Sequence, residues 1–193
     1  WNTFSFYKLY TSQGVASVLG ELRPKHDLDR WIVSKTHKLV RDVTQSMDQY
    51  DTVNSCRYIT QFIDELSTWY LRRSRERFKK DPEKMHVFGS VLQTLCLVLS
   101  PVTPFLSELM YQNLNPVQAS VHLEDWPEYD QDKIDEELEK YVELSRSIVE
   151  GLHALRKQHN LPVKQVLGEW WYEEKTPINW TQFQDILSSI EEE

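Results

Sequence analysis

Residues 83–99, EKMHVFGSVLQTLCLVL, decide the fold, because beyond His86 the run is apolar nearly all the way round a helix. Such a helix has no side to offer water, so other helices must enclose it and it is expected to be the central one. It does not read as a membrane span: Val87 to Leu109 carries Gln93, Thr94, Ser100 and two prolines, the pattern of a buried core helix. Pro101 and Pro104 break or kink it, and Phe105 to Leu114 resumes in helical spacing.

Upstream, Asp81-Pro82 ends the preceding helix, since a residue before proline avoids the helical region. That helix spans about Thr52 to Lys80 behind a fitting N-cap, Asp51, with Ile59, Phe62, Ile63, Leu66 and Tyr70 on one face. Before it, Leu28, Ile32, Leu39, Val43, Met47 and Tyr50 mark an amphipathic helix that follows the capping candidate Asp27. The opening stretch, Trp1 to Tyr10, is helical and aromatic, and reads as the end of something whose earlier part lies elsewhere. Downstream, 115–132 is loop-like with a strand-like patch at Ser120 to Leu123. A long helix follows from about Ile134 to His159, ended by Asn160 and Pro162. The expected fold is all-α: an antiparallel bundle of four to five helices over 1–165, with 166–193 as a short, truncated α/β tail that begins a C-terminal region.

The net charge of −8 looks wrong for a nucleic-acid binder until it is mapped. Residues 124–143 hold ten acids against two lysines, and 166–193 hold seven against one, so the remainder of the chain is net basic. Binding follows the local field, not the total. Two cysteines, Cys56 and Cys96, stand in helical sequence without ligand spacing and read as buried thiols of a reducing compartment. The first residues lack the features of a signal peptide, and a cytoplasmic protein without a membrane span is expected.

The most informative segment is 69–80, WYLRRSRERFKK, with six cations and one acid. At 100° per residue, Arg73, Arg77 and Lys80 continue the stripe of Phe62, Leu66 and Tyr70, while Arg72, Arg75 and Lys79 cover the opposite side. The simple expectation is a helix that runs past the end of the core, so that its former inner face meets water or a partner. Cations complement the end of a helix dipole, but that accounts for two or three of them. Guanidinium forks also match phosphate oxygens. An arginine cluster alone does not distinguish tRNA from another polyanion. His86, His122 and His153 lack a matching acid or nucleophile, and neither a Gly-rich phosphate loop nor a nucleophile motif occurs.

LDRWIVSKTHKLV at 28–40 and DELSTWYLRRSRERF at 64–78 closely resemble the anticodon-binding helical bundle of class I isoleucyl-tRNA synthetases. LSPVTPFLSELMYQNL at 99–114 is similar to a helix shared among the class Ia enzymes, and SVHLEDWP at 120–127 to the segment that follows it in the isoleucyl type. ALRKQHNLPVKQVL at 154–167 resembles the family's exit from the bundle, and WNTFSFYKLY its start after the catalytic domain. The resemblance covers residues 1–167, with Lys79 standing where many relatives carry tryptophan. It implies a parent enzyme that joins isoleucine to tRNA(Ile) with ATP and Mg²⁺ in a separate catalytic domain. The HIGH and KMSKS segments of that domain do not occur here, so neither cofactor nor activity is expected of this chain alone.

The resemblance further implies that Arg72, Arg73, Arg75, Arg77 and Lys80 contact tRNA phosphates, with Trp69 or Tyr70 supporting or stacking near the nucleic acid. Trp69 at its helical position also reads as a core residue. Arg30, Trp31 and Lys164 are weaker candidates. Other partners stay open: the valyl relative's tRNA, an acidic protein held by a helical adaptor, or the catalytic and C-terminal domains of the same chain.

Overall fold

The protein is represented by a computed structural model that describes residues 1–11, 22–114, 118–162 and 165. The tail 166–193, Gly14, Gly20, Pro116 and Lys164 lie outside the described residues. Within them the chain is all-α and no strand occurs. The helices are α1 (Asn2–Tyr10), α2 (Asp27–Asp48), α3 (Thr52–Asp64), α4 (Arg72–Lys80), α5 (His86–Leu99), α6 (Pro104–Gln112) and α7 (Glu136–Gln158). A π-helical segment, Glu65–Leu71, joins α3 to α4 without a break.

Helix α5 is the centre its sequence demands: eleven of its residues are buried, and α1, α2 and α6 pack on it. Phe88 meets Tyr7 of α1 edge-on and stacks on Phe78 of α4. Gly89 permits the close approach of α1, since a Cβ there would stand 2.6 Å from the Tyr7 hydroxyl. Pro101 and Pro104 do separate α5 from α6, with Pro104 as the first residue of the new helix. Asp51 caps α3 by accepting the Asn54 N–H. At α2 the expectation is corrected: His26 is the N-cap, its Nδ1 accepting the Leu28 N–H, and Asp27 is already helical.

The stretch between α6 and α7 is stapled down by polar bonds, and these explain why Ser120 to Leu123 is not a strand. Glu108 of α6 accepts the Ser120 hydroxyl and the Val121 N–H, both at 2.9 Å. Val121–Leu123 then folds into a single 3-10 turn over the core. Further along, Trp126 Nε1 donates to Thr44 Oγ1. The Asp130 N–H donates to Nδ1 of His37, which is buried in α2.

Burial, helped by the charge of Lys133, holds the His37 imidazole below its ordinary pKa. The unfolded chain therefore binds the proton first, and stability should fall as pH drops below about 6.5, by at most about 1.4 kcal/mol per pH unit. Melting curves at pH 7.5 and 5.5 check this, because His37→Gln should show a smaller loss than the parent chain.

The cysteines divide. Cys96 is buried and its thiol is pushed up to about 12 by burial, whereas Cys56 is exposed, contrary to the expectation from sequence.

Candidate nucleic-acid interface

The cation-rich segment begins where helix geometry changes. Trp69, Tyr70 and Leu71 are consecutive and all buried, which an ideal α-helix would spread round most of its circumference. The wider π turn of Glu65–Leu71 brings the three into the core and shifts the phase of all that follows. Glu65, buried at its start, is held by Lys35 Nζ at 2.9 Å and Arg146 Nη1 at 3.5 Å.

The stripe extrapolated at 100° per residue holds in part: Arg72, Arg75 and Lys79, placed opposite it, are exposed, and Arg73 and Arg77, placed on it, are half-buried, but Lys80 is exposed. In α4 the buried positions are Ser74 and Phe78, so the helix stays anchored in the core almost to its end. Phe78 is fully buried against Phe88 and Tyr70. The idea of a helix that has outrun the core is therefore corrected. Its outward side carries Arg72, Arg75, Lys79 and Lys80, all exposed.

Arg77 faces inward, with its side chain only 17% exposed, and forks onto Asp29 at the start of α2. Nη1 donates to Oδ2 at 2.6 Å and Nη2 to Oδ1 at 2.5 Å, while the Tyr70 hydroxyl donates to Oδ1 at 2.7 Å. Burial, with the Asp29 charge beside it, pushes the Tyr70 phenol well above its usual pKa, so it remains a neutral donor. Asp29 is the residue that sequence reading missed. Its partner lies 48 positions away, and a lone acid in a first helical turn looks like ordinary dipole complementation.

Arg73 is half-buried, its guanidinium 3.8 Å from the centre of the Trp69 ring, and Arg146 approaches the same ring at 5.9 Å. Trp69 and Tyr70 are buried, so neither presents a ring face to an incoming base; both are placed to support α4 from beneath. Arg75 reaches over Phe6 of α1, which ties the exposed cations to the first helix. Arg30 is bound to Asp27 at 3.3 Å and to Asp135 at 2.9 Å, fastening α2 to the start of α7. Trp31 is buried. Thus Arg72, Arg75 and Lys80 form one surface, Arg73 and Arg77 lie behind it, and Arg30 belongs to a different contact.

Among the described residues no cluster of His, Cys, Asp and Glu is arranged to hold a metal, and no helix is long and apolar enough to cross a membrane.

Comparison with known proteins identifies the family. Residues 29–169 match the family described as the anticodon-binding domain of tRNA ligase. The isoleucine–tRNA ligase of Streptomyces coelicolor is 39% identical over 177 residues, covering 87% of this chain and 17% of that protein. That of Cutibacterium acnes is 42% identical over 150 residues, covering 75% of this chain and 14% of that protein. That of Clostridium kluyveri is 34% identical over 202 residues, covering 98% of this chain and 19% of that protein. The chain thus spans less than a fifth of the length of these relatives. By the family match and these identities, the chain belongs to the anticodon-binding domain family of tRNA ligases.

Proposed function

We propose that the chain works as the tRNA-gripping bundle of an isoleucine–tRNA ligase, and that the outward side of α4 meets the backbone of tRNA(Ile) near its anticodon arm. The observation that carries this reading is the row of exposed cations, Arg72, Arg75, Lys79 and Lys80, on a helix whose other side is fixed in the core. A held helix presents charge at low entropic cost, which suits phosphate contacts that set position rather than read sequence. In this reading Arg72, Arg75 and Lys80 touch phosphates. Arg73 and Arg77 act through their neighbours, and Trp69 and Tyr70 carry the helix from below. Lys164 remains a candidate contact. The ligation of isoleucine, with its ATP and Mg²⁺, belongs to the catalytic part of the longer protein.

The test is binding of this chain to isoleucine and valine tRNA transcripts between about 50 and 200 mM salt, where phosphate contacts reveal themselves. Affinity should fall steeply with salt. Arg72→Gln/Arg75→Gln should weaken both tRNAs. It should also flatten the slope of log affinity against log salt by roughly 1.5, because each neutralised phosphate adds a little under one to that slope. Equal binding of polyaspartate and tRNA would favour an adaptor for acidic proteins instead. Failure to bind either transcript at about 50 mM salt, where such contacts are strongest, would overturn the proposal.

A further inference from the structure

Three hydrogen bonds in which the α6–α7 connection donates to α2 follow one another along the chain. Trp126 Nε1 donates to Thr44 Oγ1 at 2.8 Å, the Asp130 N–H to His37 Nδ1 at 3.1 Å, and the Asp135 N–H to Ser34 Oγ at 2.9 Å. The outer two acceptors are hydroxyls. The middle one is an imidazole, the one acceptor of the three that a proton can cancel near neutral pH. A ring nitrogen that accepts carries no proton, so the proton of the neutral ring sits on Nε2, a buried atom with no acceptor among the described residues. A second proton has only Nδ1 to go to. There it removes the lone pair that Asp130 uses and sets two N–H groups head to head. Water cannot relieve the ring in place, because His37 is 1% exposed. The helix is held, since α2 packs on α3, α5 and α7. The side that can yield is 128–132, every residue of which is exposed.

The surrounding charges do not accommodate an imidazolium. From the connection, Lys133 opposes it more strongly than Asp130 favours it. From α7, Glu139 is taken up by Ser34 and Lys38, and Asp135 by Arg30. The ionisable residues of α5 are His86, at its first position, and Cys96, whose buried thiol stays neutral. On the α3 side Arg146 binds Asp64 and Glu65, Lys35 also binds Glu65, and Arg57 donates to Asn54. On α2 itself Arg41 is paired with Asp42. We propose that residues 127–134 form a proton-triggered flap: protonation of His37 releases the Asp130 N–H, and the segment lifts from α2 between its fixed ends, Trp126 and Asp135. Glu128, Asp130 and Asp132 travel with it, so acid moves three carboxylates off α2. Lifting also parts Lys133 Nζ from the Leu22 carbonyl, 3.0 Å away. With the flap open the imidazole meets water and titrates near its ordinary value of about 6.5, whereas in the closed flap burial and Lys133 hold it lower. The closed form is therefore favoured above about 6.5 and loses ground by up to about tenfold per pH unit below it, until the closed ring titrates too.

Backbone amide exchange measured by NMR, corrected for the intrinsic rate at each pH, tests this in the unaltered chain. Between pH 7.5 and 5.5 the Asp130 amide should lose protection by about tenfold. The Val121 amide is the internal control. It lies in the same connection, but its acceptor is Glu108, whose carboxyl that bond holds below the usual range, so it stays ionised at both pH values. Its protection should change by less than about twofold. His37→Asn keeps an acceptor near the place of Nδ1 without a titrating group, so in that variant the protection of Asp130 should no longer depend on pH. Equal protection of Asp130 at the two pH values in the parent chain would overturn the proposal. Parallel loss at Val121 would assign the change to the whole fold, and an undiminished pH dependence in His37→Asn would assign it to another group; either also overturns it. Should His37→Asn not fold, the comparison of the two amides in the parent chain still decides.

Discussion

Asp29→Ala is expected to cost about 3 kcal/mol and to lower the melting temperature by roughly 6–12 °C. The Asp29 side chain is 8% exposed and receives three hydrogen bonds, two from Arg77 and one from Tyr70. Its removal leaves a guanidinium and a phenol facing each other in a site that excludes most water. Breaking a buried pair from one side costs about 3–5 kcal/mol, and the 17% exposure of Arg77 places this case at the low end, because the fork regains some hydration. A thermal melt of the single variant checks the size. The mechanism is checked by placing Asp29→Ala in a Tyr70→Phe/Arg77→Met background, where the same change should cost little, since the groups it would orphan are gone. An equal cost in both backgrounds would mean that Asp29 acts through the start of α2 and not through the pair. The pair also bears on function: without it the inward side of α4 is no longer tied to α2, and the spacing of the exposed cations is no longer fixed.

Where sequence and structure agree, the signal was local. Residues 87–99 are apolar on nearly every side, and a helix of that kind has one place to go. Asp51, Pro101 and Pro104 act on the backbone within a few residues of themselves, so their effects were legible too. The misreadings arose from contacts distant in the chain. Ser120 to Leu123 resembles a strand, but its hydrogen bonds go to Glu108 on α6. Helical spacing sorted five of the six cations of 72–80 correctly, with Arg72, Arg75 and Lys79 outward and Arg73 and Arg77 inward, but it missed that Ser74 and Phe78 keep the helix in the core and that Lys80 is exposed. Cys56, exposed on α3, shows that a helical context does not by itself bury a thiol.

Phe78→Ala should destabilise the chain by about 3–5 kcal/mol, the range for emptying a buried aromatic site. In sequence Phe78 sits between Arg77 and Lys79, and a helix that had outrun the core would leave it on the surface, where truncation changes stability by at most about 0.5 kcal/mol. The structure gives the opposite setting. Phe78 is fully buried, its ring 5.8 Å from Phe88 at an interplanar angle of 7° and 6.0 Å from Tyr70. The measured cost therefore separates the two descriptions of α4 by several kcal/mol, with Lys79→Ala as a neutral control one residue away. Phe78 has no part in any contact with phosphate, so its truncation also separates anchoring from charge. At low temperature, where the variant is still folded, the cations of α4 are all retained but the last turn no longer grips α5. If the helix must be held to bind a polyanion, tRNA affinity should drop while the salt slope, which counts phosphates, is preserved. A variant that melts far earlier yet binds with parental affinity when cold would mean that the cations need only be near one another, not fixed.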